Sequence, residues 1–118
     1  NNHSEIALTE RRVLLQERIA LFRDALTYNH ADALAHFGLA SALLELQSYE
    51  EAVASFEMVI QLQPNHSQAY VLLGQALESL GQLARAKDIY ERGLAVASRR
   101  GDRTPLQAIQ LRLEALTR

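Results

Sequence analysis

The sequence predicts an all-α fold, an α-α superhelix of about six helices stacked as antiparallel pairs, and three observations predict it. The chain repeats itself after 34 residues, its apolar residues recur at helical spacing, and helix breakers fall between the periodic stretches. Aligning residues 33–66 with 67–100 gives identities at Ala35/Ala69, Leu39/Leu73, Ala42/Ala76, Leu43/Leu77, Leu46/Leu80, Ala52/Ala86 and Glu57/Glu91. All but the last pair are small or apolar, as repeated helix packing demands and a repeated active site does not. A fixed period in this range marks stacked supersecondary units, none able to bury its apolar face alone.

The first expected element is one long helix over residues 5–28, a stretch without Gly or Pro that keeps Leu15, Ile19, Phe22 and Leu26 on one face. Its last turns, with Phe22, Ala25 and Leu26, look like the second helix of a preceding unit. In the first full unit, residues 33–66, a helix over about 33–46 aligns His36, Leu39, Ala40 and Leu43. A second, over about 50–62, aligns Ala52, Phe56, Val59 and Ile60 and is stopped by Pro64. Residues 67–100 repeat the plan with Tyr70, Leu73, Gly74 and Leu77, a turn at Gly81, then Ala86, Tyr90, Gly93 and Leu94. Glycine suits that turn because it accepts the left-handed conformation without a side-chain clash. The last helix, over 104–117, has Gly101 ending the one before it, Thr104 as its cap and Pro105 at its first helical position. Its stripe of Leu106, Ile109, Leu113 and Leu116 closes the open end of the stack.

Glycine inside a helix costs roughly 1 kcal/mol relative to Ala, so Gly74 and Gly93 call for close approach of a neighbouring helix. Gly38 lies off the expected packing face, where it leaves room for a ligand to approach the backbone.

These residues resemble the tetratricopeptide repeat (TPR) family. Leu39, Ala40, Leu43, Ala52, Phe56 and Pro64 match its pattern in the first unit, and Tyr70, Leu73, Gly74, Leu77, Ala86 and Tyr90 match it in the second. Two positions depart from it: His36 stands where a large aromatic is usual, and Ser98 where the second unit should close in Pro, so the helix there is expected to run on to about Arg99. The matched units cover residues 33–100. The resemblance implies a TPR-like solenoid acting as a non-enzymatic scaffold or adaptor for a protein or peptide. It places the stripe Leu34, Phe37, Gly38, Ser41, Leu44 and Glu45, with Gln68, Val71, Leu72, Gln75, Glu78 and Ser79 of the second unit, along a partly apolar concave groove. Such a groove suits the apolar face of an amphipathic helix or an extended peptide. The alternative is that the last helix folds into the groove, or that Phe37 and Leu44 merely touch a neighbouring helix. Members of the family that grip the carboxylate tails of chaperones use Lys, Arg and Asn on these faces. None stands at these positions, which disfavours that subtype.

Composition narrows the class further. A chain of 118 residues with 48% hydrophobic content and two prolines reads as one domain over 1–118. It can bury somewhat under about 70% of its unfolded surface. Without cysteine there is no disulfide framework and no thiolate metal site, which fits a reducing, cytoplasmic compartment. No apolar run approaches membrane-spanning length and no leader pattern is present, so no membrane role is expected. The chain does not begin with Met, as expected of a piece excised or trimmed from a longer one.

Charge is segregated along the chain. Residues 24–84 hold no Lys or Arg but seven acids: Asp24, Asp32, Glu45, Glu50, Glu51, Glu57 and Glu78. The flanks carry all twelve basic residues against the other seven acids. An acidic centre steers a partner of basic character toward the first unit and repels nucleic acid; otherwise it is a solvated surface. No nucleic-acid role is expected of the short Arg99, Arg100 and Arg103 cluster, which lacks interleaved aromatics. Catalysis finds no support. His3, His30, His36 and His66 share no three- or four-residue spacing, so no metal-ligand pair lies on one helix face, and no phosphate loop or nucleophile elbow occurs. His36 reads as a core or edge filler. No cofactor is expected. A second reading is self-association: the N-terminal helix also carries Ile6, Val13, Leu14 and Leu21 away from its packing face, so it can hold a homodimer.

Overall fold

The computed structural model describes residues 2–118 and contains six α-helices: α1 (Asn2–Tyr28), α2 (Ala33–Glu45), α3 (Tyr49–Leu62), α4 (Ser67–Ser79), α5 (Leu83–Arg100) and α6 (Arg103–Leu116). There is no strand among the described residues, and no helix is long and apolar enough to cross a membrane. The turns between helices repeat as the sequence does. Asp32 caps α2 by accepting from the Ala35 amide at 3.0 Å, and His66, 34 positions on, caps α4 through Nδ1 on the Ala69 amide at 3.2 Å. The hairpin turns match as well: Ser48 N–H donates to Leu43 C=O, and Gln82 N–H to Leu77 C=O, both at 2.9 Å. Each turn needs one residue in the left-handed region. Gly81 supplies it in the second unit (φ 75°), whereas the equivalent residue in the first is Gln47 (φ 66°), whose Cβ is strained there.

The last boundary differs from expectation. Asp102, not Thr104, stands at the cap of α6, and Pro105 is the third helical residue, still within the first turn, where a missing N–H goes unused. The Asp102 carboxylate does not bond its own helix; it accepts from Ser67 Oγ at 2.6 Å and Arg100 Nε at 2.8 Å, tying the start of α6 to the start of α4. Gly101, at φ 70°, ends α5 as the sequence indicates.

Packing follows the 34-residue period. Phe22, Phe56 and Tyr90 are equivalent positions on α1, α3 and α5; Phe56 and Tyr90 are fully buried and Phe22 is half-buried. Small residues let the helices close on these rings. A Cβ placed on Gly74 would lie 2.1 Å from the Tyr90 ring, so this glycine is the contact that admits the aromatic. Gly38 has the same role toward Phe22, whose Cζ would sit 2.3 Å from an added Cβ. Its space is therefore filled by the protein's own ring, not left for a ligand. Ala40, Ala52, Ala76 and Ala86, all with no exposed surface, carry the rest of the close contacts, and one continuous core runs from Leu15 on α1 to Ile109 on α6.

Gly74→Ala is expected to lower stability by about 1–3 kcal/mol, although Ala is the better helix former, because the Tyr90 ring is enclosed and cannot retreat. Gly38→Ala should cost less, since the half-buried Phe22 ring can swing outward. Urea unfolding of both variants checks the order, and the reverse ranking would contradict this account of the packing. In the same assay Gln47→Gly should gain about 0.5–1 kcal/mol by relieving the left-handed residue of its Cβ.

Candidate functional site

The backbone of α2 comes close to that of α4, and that of α4 to that of α6, whereas the backbones of α1, α3 and α5 stay farther apart and are bridged by long side chains, Arg23 to Glu51 and Arg85 to Glu57. A stack whose first helices meet while its second helices splay apart bends toward the first helices. The row α2, α4 and α6 thus forms the inner, concave side.

Along this row the predicted stripe divides. Leu34 is 78% exposed, and Gln68, Gln75 and Ser79 also face solvent. Phe37, Leu44 and Leu72 are half-buried, seated on the core with part of their surface outward. Phe37 lies edge-on to Phe56, with ring centroids 6.0 Å apart, and stacks on the cap residue His66 at 4.6 Å, bridging α2 to the start of α4. Ser41 is half-buried, its Oγ enclosed and without a hydrogen-bond partner. Val71 is a correction: at 2% exposure it belongs to the core and offers nothing to a partner. His36 sits at an edge, its Nε2 2.8 Å from the His30 carbonyl, as a filler should.

Glu78 is a second correction. Its carboxylate accepts from Arg112 Nη2 at 2.6 Å, from Arg112 Nε at 3.0 Å and from the Tyr90 hydroxyl at 2.5 Å. With its side chain only 16% exposed, it ties α4, α5 and α6 together and has little left for a partner. The Arg112 guanidinium holds the Glu78 carboxyl below the usual carboxylate range, against the opposing effect of burial. Burial raises the Tyr90 hydroxyl far above its ordinary value, and the adjacent Glu78 charge adds to this.

The acidic centre seen in the sequence is partly neutralised in space. Glu45 pairs with Arg11 at 2.6 Å, Glu51 with Arg23 at 2.6 Å, Glu57 with Arg85 at 3.3 Å and Glu78 with Arg112 at 2.6 Å. Every one of these arginines comes from a basic flank. Separation along the chain has become complementarity between neighbouring helices for these four of the seven central acids.

Leu111 was not singled out from the sequence. Helix α6 starts 36 residues after α4, at Arg103 against Ser67, because α5 runs on without a closing proline. With that offset Leu111 is the counterpart of Gln75 on the concave row, and it is 67% exposed. The α3–α4 turn borders a depression of about 540 Å³ lined in part by Pro64, His66, Ser67 and Arg100. Three of its polar groups are engaged, His66 with Ala69 and both Ser67 and Arg100 with Asp102, while the amide side chains of Gln63, Asn65 and Gln68 also line it. Among the described residues no cluster of His, Asp and Glu is arranged to hold a metal ion.

Because the folded-state pKa of Glu78 is depressed, its stabilisation is complete above the unfolded-state value and is lost as pH falls through the folded one. Glu78→Gln should therefore cost about 1.5–3 kcal/mol near neutral pH. The gap between wild type and variant should close in acid, once pH falls below the usual carboxylate range and through the depressed folded-state value. Thermal unfolding at both pH values measures it, and a gap independent of pH would contradict the assignment.

The pattern of the tetratricopeptide repeat matches residues 43–108. The chain is 32% identical over 87 residues to TPR repeat-containing protein PA0015 of Pseudomonas aeruginosa, covering 74% of this chain and 83% of that one. Among solved structures it is similar to the TPR2B domain of yeast Sti1, seen in complex with an Hsp70 peptide (TM-score 0.78, 19% identity, 92% of this chain and 94% of that). It is also similar to the second TPR of Spaghetti (RPAP3), bound to the HSP90 peptide SRMEEVD (TM-score 0.66, 30% identity, 70% and 76%). With its six helices, its period and these likenesses, the chain belongs to the tetratricopeptide repeat family, whose domains mediate protein–protein interaction.

Proposed function

We propose that the chain is a non-enzymatic scaffold that receives the apolar side of a peptide or amphipathic helix across its concave row. The observation that carries this reading is the pair Leu34 and Leu111, both well exposed, at opposite edges of the row, with half-buried Phe37 and Leu72 between them. Exposed leucines over a partly apolar floor, interleaved with the amides of Gln68 and Gln75, provide burial for apolar anchors and hydrogen bonds for a peptide backbone.

The electrostatics of the row favour some partners over others. An acidic tail such as SRMEEVD needs cations to replace the water around its carboxylates. Helices α2 and α4 carry no Lys or Arg, and of the two arginines of α6 Arg112 is held in a bidentate pair by Glu78, which leaves Arg103 at the end of the row. A strongly basic peptide meets acids that are already paired. The partner that fits best is one recognised by spaced apolar side chains.

Peptides selected on the chain from a random library should carry apolar residues three and four positions apart. Leu34→Glu combined with Leu111→Glu should weaken them by about tenfold or more, from the lost burial of leucine contacts. Because both residues are exposed, the melting temperature should hardly change. The peptide SRMEEVD should bind with a Kd of about 1 mM or weaker. Undiminished binding by the double variant, or tight binding of the acidic peptide, would refute the reading.

A further inference from the structure

Helix α1 leaves one face uncovered. Helix α3 packs against both α2 and α4, and α5 against both α4 and α6, but the backbone of α1 packs against α2 alone, with the Arg23–Glu51 ion pair reaching α3. The bare side is the one that an interior helix turns to the first helix of its own hairpin. There the interior helices have Ala52 and Ala86, with no exposed surface; the equivalent residue of α1 is Arg18, which is exposed. A guanidinium at this position prevents the close approach that alanine allows, so a preceding hairpin helix does not fit at the interior spacing.

The face is nevertheless apolar. Leu14 and Leu21 are 59% and 71% exposed, and Ala7 and Tyr28 continue their row at seven-residue intervals. A seven-residue apolar row drifts slowly around a helix and suits a left-handed pairing with another helix. On one side of the row stand Glu10, Glu17 and Asp24; on the other stand Arg11 and Arg18. Arg11 reaches back to Glu45, while among the described residues Glu10, Glu17, Asp24 and Arg18 form no ion pair. These two charged rows identify the occupant. If two copies of α1 lie parallel about a two-fold axis along their length, the acidic row of each faces the basic row of the other. Glu17 then comes level with the partner's Arg18, within about one residue rise of 1.5 Å. If the copies lie antiparallel, acid faces acid.

We propose that a second copy of the chain covers this face, with the two α1 helices parallel and in register. At 27 residues, α1 offers a seam about 40 Å long, roughly twice the length of α2. The dimer is isologous and leaves both concave rows outward, free to hold two partners.

Light scattering should return the mass of a dimer that dissociates on dilution. Leu14→Glu with Leu21→Glu should give a folded monomer with an unchanged helical circular dichroism spectrum. Arg18→Glu alone should weaken the dimer about tenfold or more, and adding Glu17→Arg should restore it, since the swap rebuilds the same pairs reversed. The chain has no cysteine, so orientation can be read directly. Leu21→Cys should form an intermolecular disulfide on mild oxidation, because residue 21 meets its own counterpart only in the parallel pair. Leu83→Cys, exposed far from the seam, should not. A monomer at all concentrations, a dimer that survives the two glutamates, failure of the charge swap to rescue, or absence of the Leu21→Cys cross-link would each overturn the proposal.

Discussion

The stack depends on an aromatic ring delivered to the same place every 34 residues and on the small residues that let helices close around it. Phe56 and Tyr90 are wholly enclosed, and Phe22 begins the series at the edge. A ring of this size contributes most when it is sealed on every side, and sealing it requires a neighbouring helix without a Cβ or with no more than a methyl group at the contact. Gly74 meets that need for Tyr90, and the buried alanines extend the same close spacing along each hairpin. Glycine's cost to the helix is thus offset by the ring it admits. The hydroxyl of Tyr90 then requires a partner, which draws Glu78 inward and, through Glu78, Arg112 of the closing helix.

That chain of requirements explains why charge separated along the sequence does not become a charged surface. Four of the seven acids in the centre find arginines from the flanks, and each pair joins different helices. Three of these pairs are about half exposed, so they add little stability individually. Their effect is on specificity, since they fix which helix faces which and leave the concave row without a strong field of either sign. Glu78 differs because its surroundings exclude water, and only there does the ion pair hold the last helix against the second hairpin.

Most of the architecture was legible in the sequence because repetition states the packing rule twice. The identities at Leu39/Leu73, Ala42/Ala76 and Ala52/Ala86 all proved to be core contacts, and the breaks at Pro64, Gly81 and Gly101 fell between helices. The site was less legible, for reasons specific to three residues. Val71 and Gly38 lie on the right face of their helices, but a periodicity argument cannot tell a surface stripe from one that a neighbouring helix covers. Phe22 closes over Gly38 from a helix outside the matched units. Spacing places Glu78 on the groove stripe, but its partner, Arg112, lies 34 residues on, in a helix whose register the missing proline shifts. The same shift hid Leu111, which comes into line with Gln75 only when α6 is set two residues beyond the 34-residue period, since α5 is an 18-residue helix where α3 has 14 and the turn after it is shorter.

The ends of the stack obey the same rule in reverse. At the small-residue positions that bring the two helices of a hairpin together, the interior has Ala40, Gly74, Ala52 and Ala86, all buried. The corresponding residues at the ends are Arg18 on α1 and Gln110 on α6, both exposed. A long polar side chain at either point keeps a further hairpin from docking at the interior spacing, whatever chain lies beyond. The two ends differ in what surrounds that residue. Around Gln110 the apolar residues Leu113 and Leu116 pack back onto the core. Around Arg18 the leucines at 14 and 21 turn away from it. One end thus turns leucines onto the core. The other sets exposed leucines beside an exposed arginine, and it is this face on which the proposed dimer rests.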